Sequence, residues 1–200
     1  MTESAESPTP ASADELVDPE SLDAFLAALT DVGITHVVGI PDNTSGVLFH
    51  ALRAHPSIRG IIATREGEAF ALASGLWLGG AFPLVVVQNT GFLESGDALR
   101  GTAVRMGVPL PVMVTGRGYA KMTAAGLGPD APRTRALLVR PDVDSVALFT
   151  EPTLDAWGIP FETCGDADDP AAGVRRVVER ARSEERPVAL LLVRALQGRS

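Results

Sequence analysis

An acidic residue stands at the junction between an apolar strand and a helix. Residues 64–70 read Thr-Arg-Glu-Gly-Glu-Ala-Phe and follow an apolar run at residues 58–63, so Glu66 opens the helix. In a chain that alternates strands and helices, such a carboxylate lies at the carboxyl edge of the sheet, where it can meet a ligand. The alternative is that Glu66 only complements the helix dipole. Glu68 points away from Glu66 and is expected to be solvent-facing or structural.

Polar residues also follow two other predicted strands. They are Gln88, Asn89 and Thr90 after the third strand, and Asp42 and Asn43 after the first. Because the carboxyl ends of parallel strands meet at one edge of a sheet, both groups are expected to lie near Glu66. Each group also has a simpler explanation, since residues 89–91 can form a turn that caps the next helix and Pro-Asp-Asn is a turn-forming sequence.

The pattern of apolar residues places these positions on alternating strands and helices. The predicted strands are residues 35–40, 58–63, 84–88, 110–115, 160–163 and 188–193. The predicted helices are one from Asp18-Pro19 to Gly33, residues 46–54, 66–78, 92–105 and 146–157, and one that starts at Asp169-Pro170. The strands are continuous runs of Val, Ile and Leu, which indicates that both their faces are covered. The expected fold class is therefore α/β, a doubly wound and mostly parallel sheet with helices on both faces.

Length and composition favour one soluble domain with a tail. The 200 residues are 46% apolar and 21% charged, as is ordinary for a globular protein. Residues 1–17 are rich in Ser, Thr, Ala, Pro and Glu and offer little apolar surface to bury. They are expected to be a disordered tail, so the domain is assigned to residues 18–200. The net charge of -8 argues against a nucleic-acid or anionic membrane surface, and the longest apolar run is too short to span a bilayer.

The cysteine and histidine residues bear on the cellular location and on metal binding. The single Cys164 cannot form an internal disulfide and no signal-peptide pattern is visible, so a reducing, cytoplasmic location is expected. The three histidines show no metal-ligand spacing, so no metal site is expected in this chain.

Three segments together resemble the pyrimidine-binding domain of thiamine diphosphate enzymes. They are residues 39–43 (Gly-Ile-Pro-Asp-Asn), residues 64–69 ahead of a helix glycine at Gly75, and residues 87–91 (Val-Gln-Asn-Thr-Gly). Within that superfamily the chain is similar to the α subunit, or N-terminal half, of phosphonopyruvate and sulfopyruvate decarboxylases, and residues 154–162 share the likeness. The order and spacing of the segments carry the resemblance.

The resemblance implies a cofactor, thiamine diphosphate, and a catalytic carboxylate, Glu66. This residue stands nine positions before Gly75, as the family's glutamate stands before its helix glycine. A carboxylate that is hydrogen-bonded to N1′ of the aminopyrimidine favours the imino tautomer, whose 4′-nitrogen takes the proton from C2 of the thiazolium ring. The further residues that the resemblance implies are Gln88, Asn89 and Thr90 for the cofactor, and Asp42 and Asn43 for the substrate pocket.

The resemblance also implies a second polypeptide. The family binds the diphosphate through Mg2+ with a Gly-Asp-Gly and a later Asn-Asn, whereas the nearest match here is Gly-Asp-Ala at residues 165–167, without a later asparagine pair. A partner β subunit is therefore expected to bind the diphosphate and Mg2+ in a hetero-oligomer. Phe92 and Glu94 are departures, because common family members carry Gly-Pro-Gly or Gly-Leu-Gly in this stretch.

The substrate implied by the resemblance is phosphonopyruvate or sulfopyruvate, converted to an aldehyde and CO2. A phosphonate or sulfonate needs cationic partners, and the candidates near the predicted edge are Arg65, Arg117 and Lys121. The last two lie in a glycine-rich stretch at residues 116–132, which is expected to be a long loop that closes over the substrate. Each of these basic residues has the alternative of being simply solvated.

Two other functions remain open from the sequence. A related enzyme subunit would use the same cofactor for carboligation or for another 2-oxo acid. A non-catalytic α/β binding or regulatory module would share only the fold. A nucleotide-binding Rossmann domain is less favoured, because no Gly-x-Gly-x-x-Gly follows the first strand.

Overall fold

Strands and helices alternate along residues 19–193, the part of the chain that the computed structural model describes. Within these residues the strands are β1 His36–Gly39, β2 Arg59–Ile62, β3 Pro83–Gln88, β4 Pro111–Thr115, β5 Phe161–Cys164 and β6 Val188–Leu192. The α-helices are α1 Pro19–Asp31, α2 Gly46–Leu52, α3 Glu66–Leu78, α4 Asn89–Glu94, α5 Gly96–Leu99, α6 Tyr119–Ala124, α7 Arg135–Leu138, α8 Ser145–Ala156 and α9 Pro170–Glu184, and a π-helix spans Arg100–Val104. The predicted tail at residues 1–17 lies outside the described residues.

The strands form one sheet in the order β2-β1-β3-β4-β6-β5, and every pairing in it is parallel. After β2 the chain returns to the other side of β1, so the strand order reverses between β1 and β3. Open parallel sheets bind ligands in the crevice beyond the carboxyl ends of the strands at such a reversal. The doubly wound α/β fold that the sequence predicts is confirmed.

Alternate residues of the central strands enter separate cores on the two faces of the sheet. In β3, Val85 and Val87 pack into one core, and Leu84 and Val86 pack into the other. Residues of α3, α4 and α8 complete the first core, and residues of α1, α2 and α9 complete the second. The central strands are apolar throughout because helices cover both of their faces.

β1 ends at Gly39, where the neighbouring strand comes too close for a side chain. A Cβ at this position would lie 1.7 Å from the carbonyl oxygen of Val86 in β3. Any larger residue would push β1 away from β3 at the point of reversal. Glycine therefore lets the loop that carries Asp42 leave β1 directly beside β3.

Two elements differ from the sequence prediction. The apolar run at residues 58–63 predicts a strand covered on both faces, whereas β2 is an edge strand and Ile62 is 66% exposed. Arg59 and Gly60 interrupt this run, and an exposed charged residue is typical of an edge strand. The single helix predicted at residues 92–105 begins earlier and is divided into α4, α5 and the π-helix. Ser95, between α4 and α5, donates its hydroxyl to the carbonyl of Gly91 at 2.5 Å, a back-bond of the kind that bends helices.

The glycine-rich stretch at residues 116–132 contains more regular structure than predicted. Tyr119 and Met122 of α6 are buried, and the Tyr119 hydroxyl donates a hydrogen bond to Glu151 at 3.3 Å. Gly118, with φ +88, provides the left-handed turn that starts α6. The stretch therefore begins with an anchored helical turn, and its closure over a ligand stays a prediction.

Candidate functional site at the carboxyl edge of the sheet

The chain segments that follow β1, β3 and β4 meet where the strand order reverses. Asp42 lies in the loop after β1, Gln88 ends β3 and Thr115 ends β4. The carboxylate of Asp42 joins the three segments, since its Oδ2 accepts hydrogen bonds from Gln88 Nε2 at 3.1 Å and from Thr115 Oγ1 at 2.5 Å. Gln88 and Thr115 are also direct partners in the parallel register. Two of the predicted residues, Asp42 and Gln88, are thus in contact.

Hydrogen bonds keep Asp42 ionised although it is partly buried. Its Oδ1 accepts bonds from the Ser45 backbone N–H at 2.7 Å and from the Ser45 hydroxyl at 2.6 Å. Burial alone would raise the pKa of Asp42, but the bonds from Ser45, Thr115 and Gln88 outweigh burial and lower the pKa. Asp42 is therefore a fixed negative charge at the reversal point. The neighbouring Asn43 is exposed.

Glu66 is the first residue of α3 and is half-buried against the first turn of α4. A Cβ at Gly91 would lie 2.2 Å from the carboxylate carbon and from Oε1 of Glu66. The missing side chain at Gly91 therefore provides the space that the carboxylate occupies. Since Gly91 is not among the glycines with positive φ, space and not backbone freedom is what this position requires. Gly91 follows Gln88 and Thr90, whose side chains are joined by a 2.8 Å hydrogen bond.

Two other carboxylates cap the start of α3. Arg65 occupies the N-cap position, where its side chain makes no capping hydrogen bond. Glu68 accepts a bond from the Thr64 N–H at 2.8 Å, which agrees with a structural role. Glu94 of α4 accepts a bond from the Gly67 N–H at 3.4 Å and forms an ion pair with Arg65. The hydrogen bond from Arg65 lowers the pKa of Glu94. The same ion pair engages the Arg65 guanidinium, which must leave Glu94 before it can bind another anion.

Asn89 is completely buried, and its side-chain amide is hydrogen-bonded to two distant segments of the chain. Its Nδ2 donates to the carbonyl oxygen of Arg117 at 2.9 Å and to Oγ1 of Thr150 at 3.0 Å. Its Oδ1 accepts a bond from the Arg117 N–H at 3.2 Å. Asn89 thereby ties the junction of β3 and α4 to the segment after β4 and to α8. This geometry gives Asn89 a structural role, and its predicted contact with a cofactor stays a prediction.

Sequence reasoning missed two threonines that complete these networks. Thr115 had a signal, because it is a polar residue at the end of an otherwise apolar strand on the predicted ligand-binding edge. Thr150 had no local signal, since it lies within α8 and meets Asn89 across 61 positions of the chain.

The three candidate cations stand in different surroundings. Arg117 forms an ion pair with Asp144, the N-cap residue of α8, with 3.0 Å between Nε and Oδ2. Arg65 is paired with Glu94. Lys121 is exposed on α6, and no carboxylate in the described part of the chain forms an ion pair with it. Lys121 is thus the candidate cation of the three that can bind an anion without giving up a partner.

Neither a metal cluster nor a membrane helix is found in the described structure. Between residues 19 and 193, no three or more His, Cys, Asp or Glu side chains are grouped so that they could hold a metal ion. Over the same residues, no helix has the length and apolar character needed to cross a bilayer.

Proteins of similar sequence include decarboxylases and decarboxylase subunits. A phosphonopyruvate decarboxylase of Streptomyces viridochromogenes is 34% identical over 94 residues, which cover 47% of this chain and 24% of that protein. A sulfopyruvate decarboxylase subunit alpha of Methanococcus maripaludis is 23% identical over 170 residues, which cover 85% of this chain and 92% of that subunit. The chain therefore spans about a quarter of the length of the Streptomyces relative and most of the length of the Methanococcus subunit.

Solved structures with the same fold belong to larger chains. Benzoylformate decarboxylase from Polynucleobacter necessarius superposes with a TM-score of 0.61 at 18% identity, covering 86% of this chain and 29% of that one. The thiamine diphosphate-dependent 4-hydroxybenzoylformate decarboxylase of Rhodococcus jostii RHA1 superposes with a TM-score of 0.58 at 16% identity, covering 86% of this chain and 30% of that one. At these identities the likeness shows the fold.

A family model identifies the domain. The model described as "Thiamine pyrophosphate enzyme, N-terminal TPP binding domain" matches residues 20–131, which is more than half of the chain. The matched stretch contains each of the site residues predicted from the sequence, from Asp42 to Lys121. The resemblance inferred from the sequence is confirmed, and the chain belongs to the family of N-terminal TPP-binding domains of thiamine pyrophosphate enzymes.

Proposed function

We propose that this chain carries the aminopyrimidine-binding half of a thiamine diphosphate-dependent 2-oxo acid decarboxylase. The observation that carries the proposal is the Glu66 carboxylate, seated over the Cβ-free Gly91 at the start of α3. Glu66 as a whole remains partly exposed, and its carboxylate is proposed to meet a ligand at the carboxyl edge of the sheet. Family membership supplies the ligand class, and the residues present fit it.

The proposed roles follow from the positions of the side chains. When bound, thiamine diphosphate supplies an electron sink for the loss of CO2 from a 2-oxo acid. Glu66 is proposed to hydrogen-bond N1′ of the aminopyrimidine and to hold the proton there. Gln88 and Thr90, bonded to each other beside Gly91, are proposed to orient the ring. Asn89 is proposed to fix their backbone through its bonds to Arg117 and Thr150.

The substrate end of the site is assigned to the loop after β1 and to α6. Asp42 and Asn43 are proposed to line the substrate pocket, with Asp42 held ionised at the reversal point. Similarity to phosphonopyruvate and sulfopyruvate decarboxylases motivates a 2-oxo acid with an anionic group on C3. Lys121 is proposed as the first cation for that group, whereas Arg65 and Arg117 must exchange their carboxylate partners before they can bind it.

A partner subunit is proposed to cover the outer side of α3. The exposed residues of this helix after Glu68 are Ala71, Leu72, Gly75 and Leu78, which share one face and carry no polar side chain. Leu72 is 40% exposed and Leu78 is 66% exposed. A helix that is apolar on all sides is normally buried, so a partner is expected to pack on the exposed face of α3. Because α3 begins at Glu66, this partner is expected to lie next to the cofactor. The partner is proposed to be a β subunit that binds the diphosphate and Mg2+, the function for which this sequence lacks Gly-Asp-Gly and Asn-Asn.

Copurification and a CO2-release assay test the proposed function. The chain is coexpressed with a candidate β subunit that carries Gly-Asp-Gly and Asn-Asn, and the complex receives thiamine diphosphate, Mg2+ and either 3-phosphonopyruvate, 3-sulfopyruvate or pyruvate. We expect CO2 and an aldehyde from one of the two 3-substituted acids, and only when both subunits are present. Turnover by this chain alone would contradict the two-subunit proposal. A complex that binds the cofactor but releases no CO2 would contradict the decarboxylase, and coupled products would indicate carboligation.

The proposed interface has its own variant and control. Leu72→Asp places a charge on the apolar face of α3 and is expected to abolish copurification. Glu179→Lys changes an exposed residue of α9, on the opposite face of the sheet, and is expected to leave copurification unchanged. If both variants lost the complex equally, or if both retained it, the assignment of the interface to α3 would be contradicted.

A further inference from the structure

α4 contacts the Glu66 segment at two points that are one helical turn apart. Gly91 lies under the Glu66 carboxylate, and Glu94, three residues later, reaches the residues on both sides of it, Arg65 and Gly67. We infer that Glu94 is the positioning residue that holds the Glu66 carboxylate in place for the cofactor. The inference rests on the function proposed above.

The contact with Gly67 restrains the first turn of α3. Gly67 is the second residue of the helix, so its N–H has no acceptor within the helix, and Glu94 Oε2 supplies one at 3.4 Å. A Cβ at Gly67 would be in ordinary van der Waals contact with the Cβ of Ala98 at 3.4 Å and with Glu94 Oε2 at 3.6 Å, so this turn lies directly beside α4 and α5. Glu94 therefore ties the backbone next to Glu66 to the helix on which the Glu66 carboxylate rests.

The contact with Arg65 keeps a competing cation occupied. The side chain of Arg65 is 74% exposed, and Arg65 is close enough to Glu66 for their charges to interact. Without Glu94, the guanidinium would have Glu66 as an adjacent carboxylate partner. An ion pair between Arg65 and Glu66 would occupy the acceptor that the aminopyrimidine needs. Glu94 thus leaves the Glu66 carboxylate available.

A positioning role differs measurably from a contribution to stability. Exposed ion pairs contribute little to folding, and the Glu94 side chain is 39% exposed. A shift of about 1 Å in a catalytic group costs about 100-fold in rate, so a smaller shift of the first turn of α3 is expected to cost about tenfold. Loss of Glu94 is therefore expected to lower kcat while the unfolding midpoint stays constant.

Three variants and two measurements test the inference. Glu94→Ala removes both contacts, Glu94→Gln retains an acceptor for the Gly67 N–H, and Asp97→Asn is the control, because Asp97 pairs with Arg100 one turn further on. Amide hydrogen exchange at Gly67 is measured by NMR in the chain without its partner, and kcat is measured in the reconstituted complex. We expect Glu94→Ala to speed exchange and to lower kcat about tenfold. Glu94→Gln should restore protection of the amide but only part of kcat, because its carboxamide accepts from Gly67 and no longer forms the ion pair with Arg65. Asp97→Asn should match wild type in both measurements.

The two measurements separate this inference from the proposed function. If the wild-type complex were inactive, the proposed function would be contradicted. The rate of amide exchange at Gly67 would still show whether Glu94 restrains the first turn of α3. An active complex in which Glu94→Ala keeps wild-type kcat would overturn the positioning role. So would a fall in kcat that parallels a fall in the unfolding midpoint and is not rescued by Glu94→Gln, since that pattern belongs to a residue needed only for folding.

Discussion

Gly91→Ala should displace the Glu66 carboxylate without unfolding the protein. The new Cβ would lie 2.1 Å from Cγ of Glu66 and 2.2 Å from its carboxylate carbon and Oε1, whereas ordinary contact begins at 3.4 Å. These atoms must therefore move by roughly 1.2–1.3 Å, the scale of misplacement that matters for a catalytic group. The clash begins at Cγ, so the Glu66 side chain must turn about its Cα–Cβ bond to escape it, at a cost of about 0.5–1.5 kcal/mol in rotamer strain. Replacing a helical glycine by alanine recovers about 0.5–1 kcal/mol of folding free energy. The two effects nearly cancel.

The effect on activity is expected to be much larger. A displacement of about 1 Å lowers the rate about 100-fold, which corresponds to about 2.7 kcal/mol of activation free energy. We therefore expect kcat of the reconstituted complex to fall about 100-fold, while the free energy of unfolding, measured by urea titration, changes by less than about 1 kcal/mol. The matched control is Gly101→Ala, because nothing lies within 4 Å of a Cβ at that helical position.

Repeating Gly91→Ala in a Glu66→Ala chain shows whether the clash with Glu66 causes the loss of activity. In a Glu66→Ala chain the carboxylate is gone, so Gly91→Ala should stabilise the protein by the full helix-propensity gain of about 0.5–1 kcal/mol. Wild-type kcat in Gly91→Ala would refute the reasoning, because the position of the Glu66 carboxylate would then be unimportant. If Gly91→Ala lowered the free energy of unfolding by the same amount in the wild-type and Glu66→Ala chains, the new Cβ would be clashing with a group other than Glu66.

Three further predictions concern the groups around Glu66. The pKa of Asp42 is lowered in the folded state, so the stabilisation by its carboxylate is present above the ordinary pKa and is lost as the pH falls through the folded value. Below about pH 4 the free energy of unfolding should therefore decline more steeply for wild type than for Asp42→Asn. Parallel pH dependences of the two proteins in urea titrations would contradict this. Asn89→Ala should lower the free energy of unfolding by about 1–3 kcal/mol, because the Arg117 amide and carbonyl lose their partner; a change below about 0.5 kcal/mol would count against the role of Asn89. Lys121→Ala should raise KM for the 3-substituted acid about tenfold and leave KM for pyruvate unchanged, and equal effects on both substrates would remove Lys121 from the anion site.

Local sequence signals predicted the elements that position the site. The bounds of α3 match the prediction, since a polar strand end, two acidic residues and a run of helix-forming residues all indicate one start. The central strands were recognisable because burial on both faces demands continuous apolar runs. The carboxyl edge as the place of the site followed from the alternation of strands and helices alone.

Contacts between distant parts of the chain were not predictable. The bond between Thr115 and Asp42 spans 73 positions, and the pairing of Arg65 with Glu94 spans 29. The sequence showed Glu94 only as a departure from the family, because its partner depends on how α3 packs against α4. For the same reason, the burial of Asn89 depends on how the segments after β3 and β4 pack against α8.

The central claim is that the Glu66 carboxylate activates the cofactor held between two subunits. The most direct test is the rate at which the C2 proton of thiamine diphosphate exchanges with deuterium in the reconstituted complex, followed by NMR after acid quench. Glu66→Gln should slow this exchange at least about 100-fold, as expected for loss of a positioned acid–base group. Glu68→Gln, two positions along the same turn, should leave the rate nearly unchanged. Equal exchange in Glu66→Gln and wild type would contradict the account.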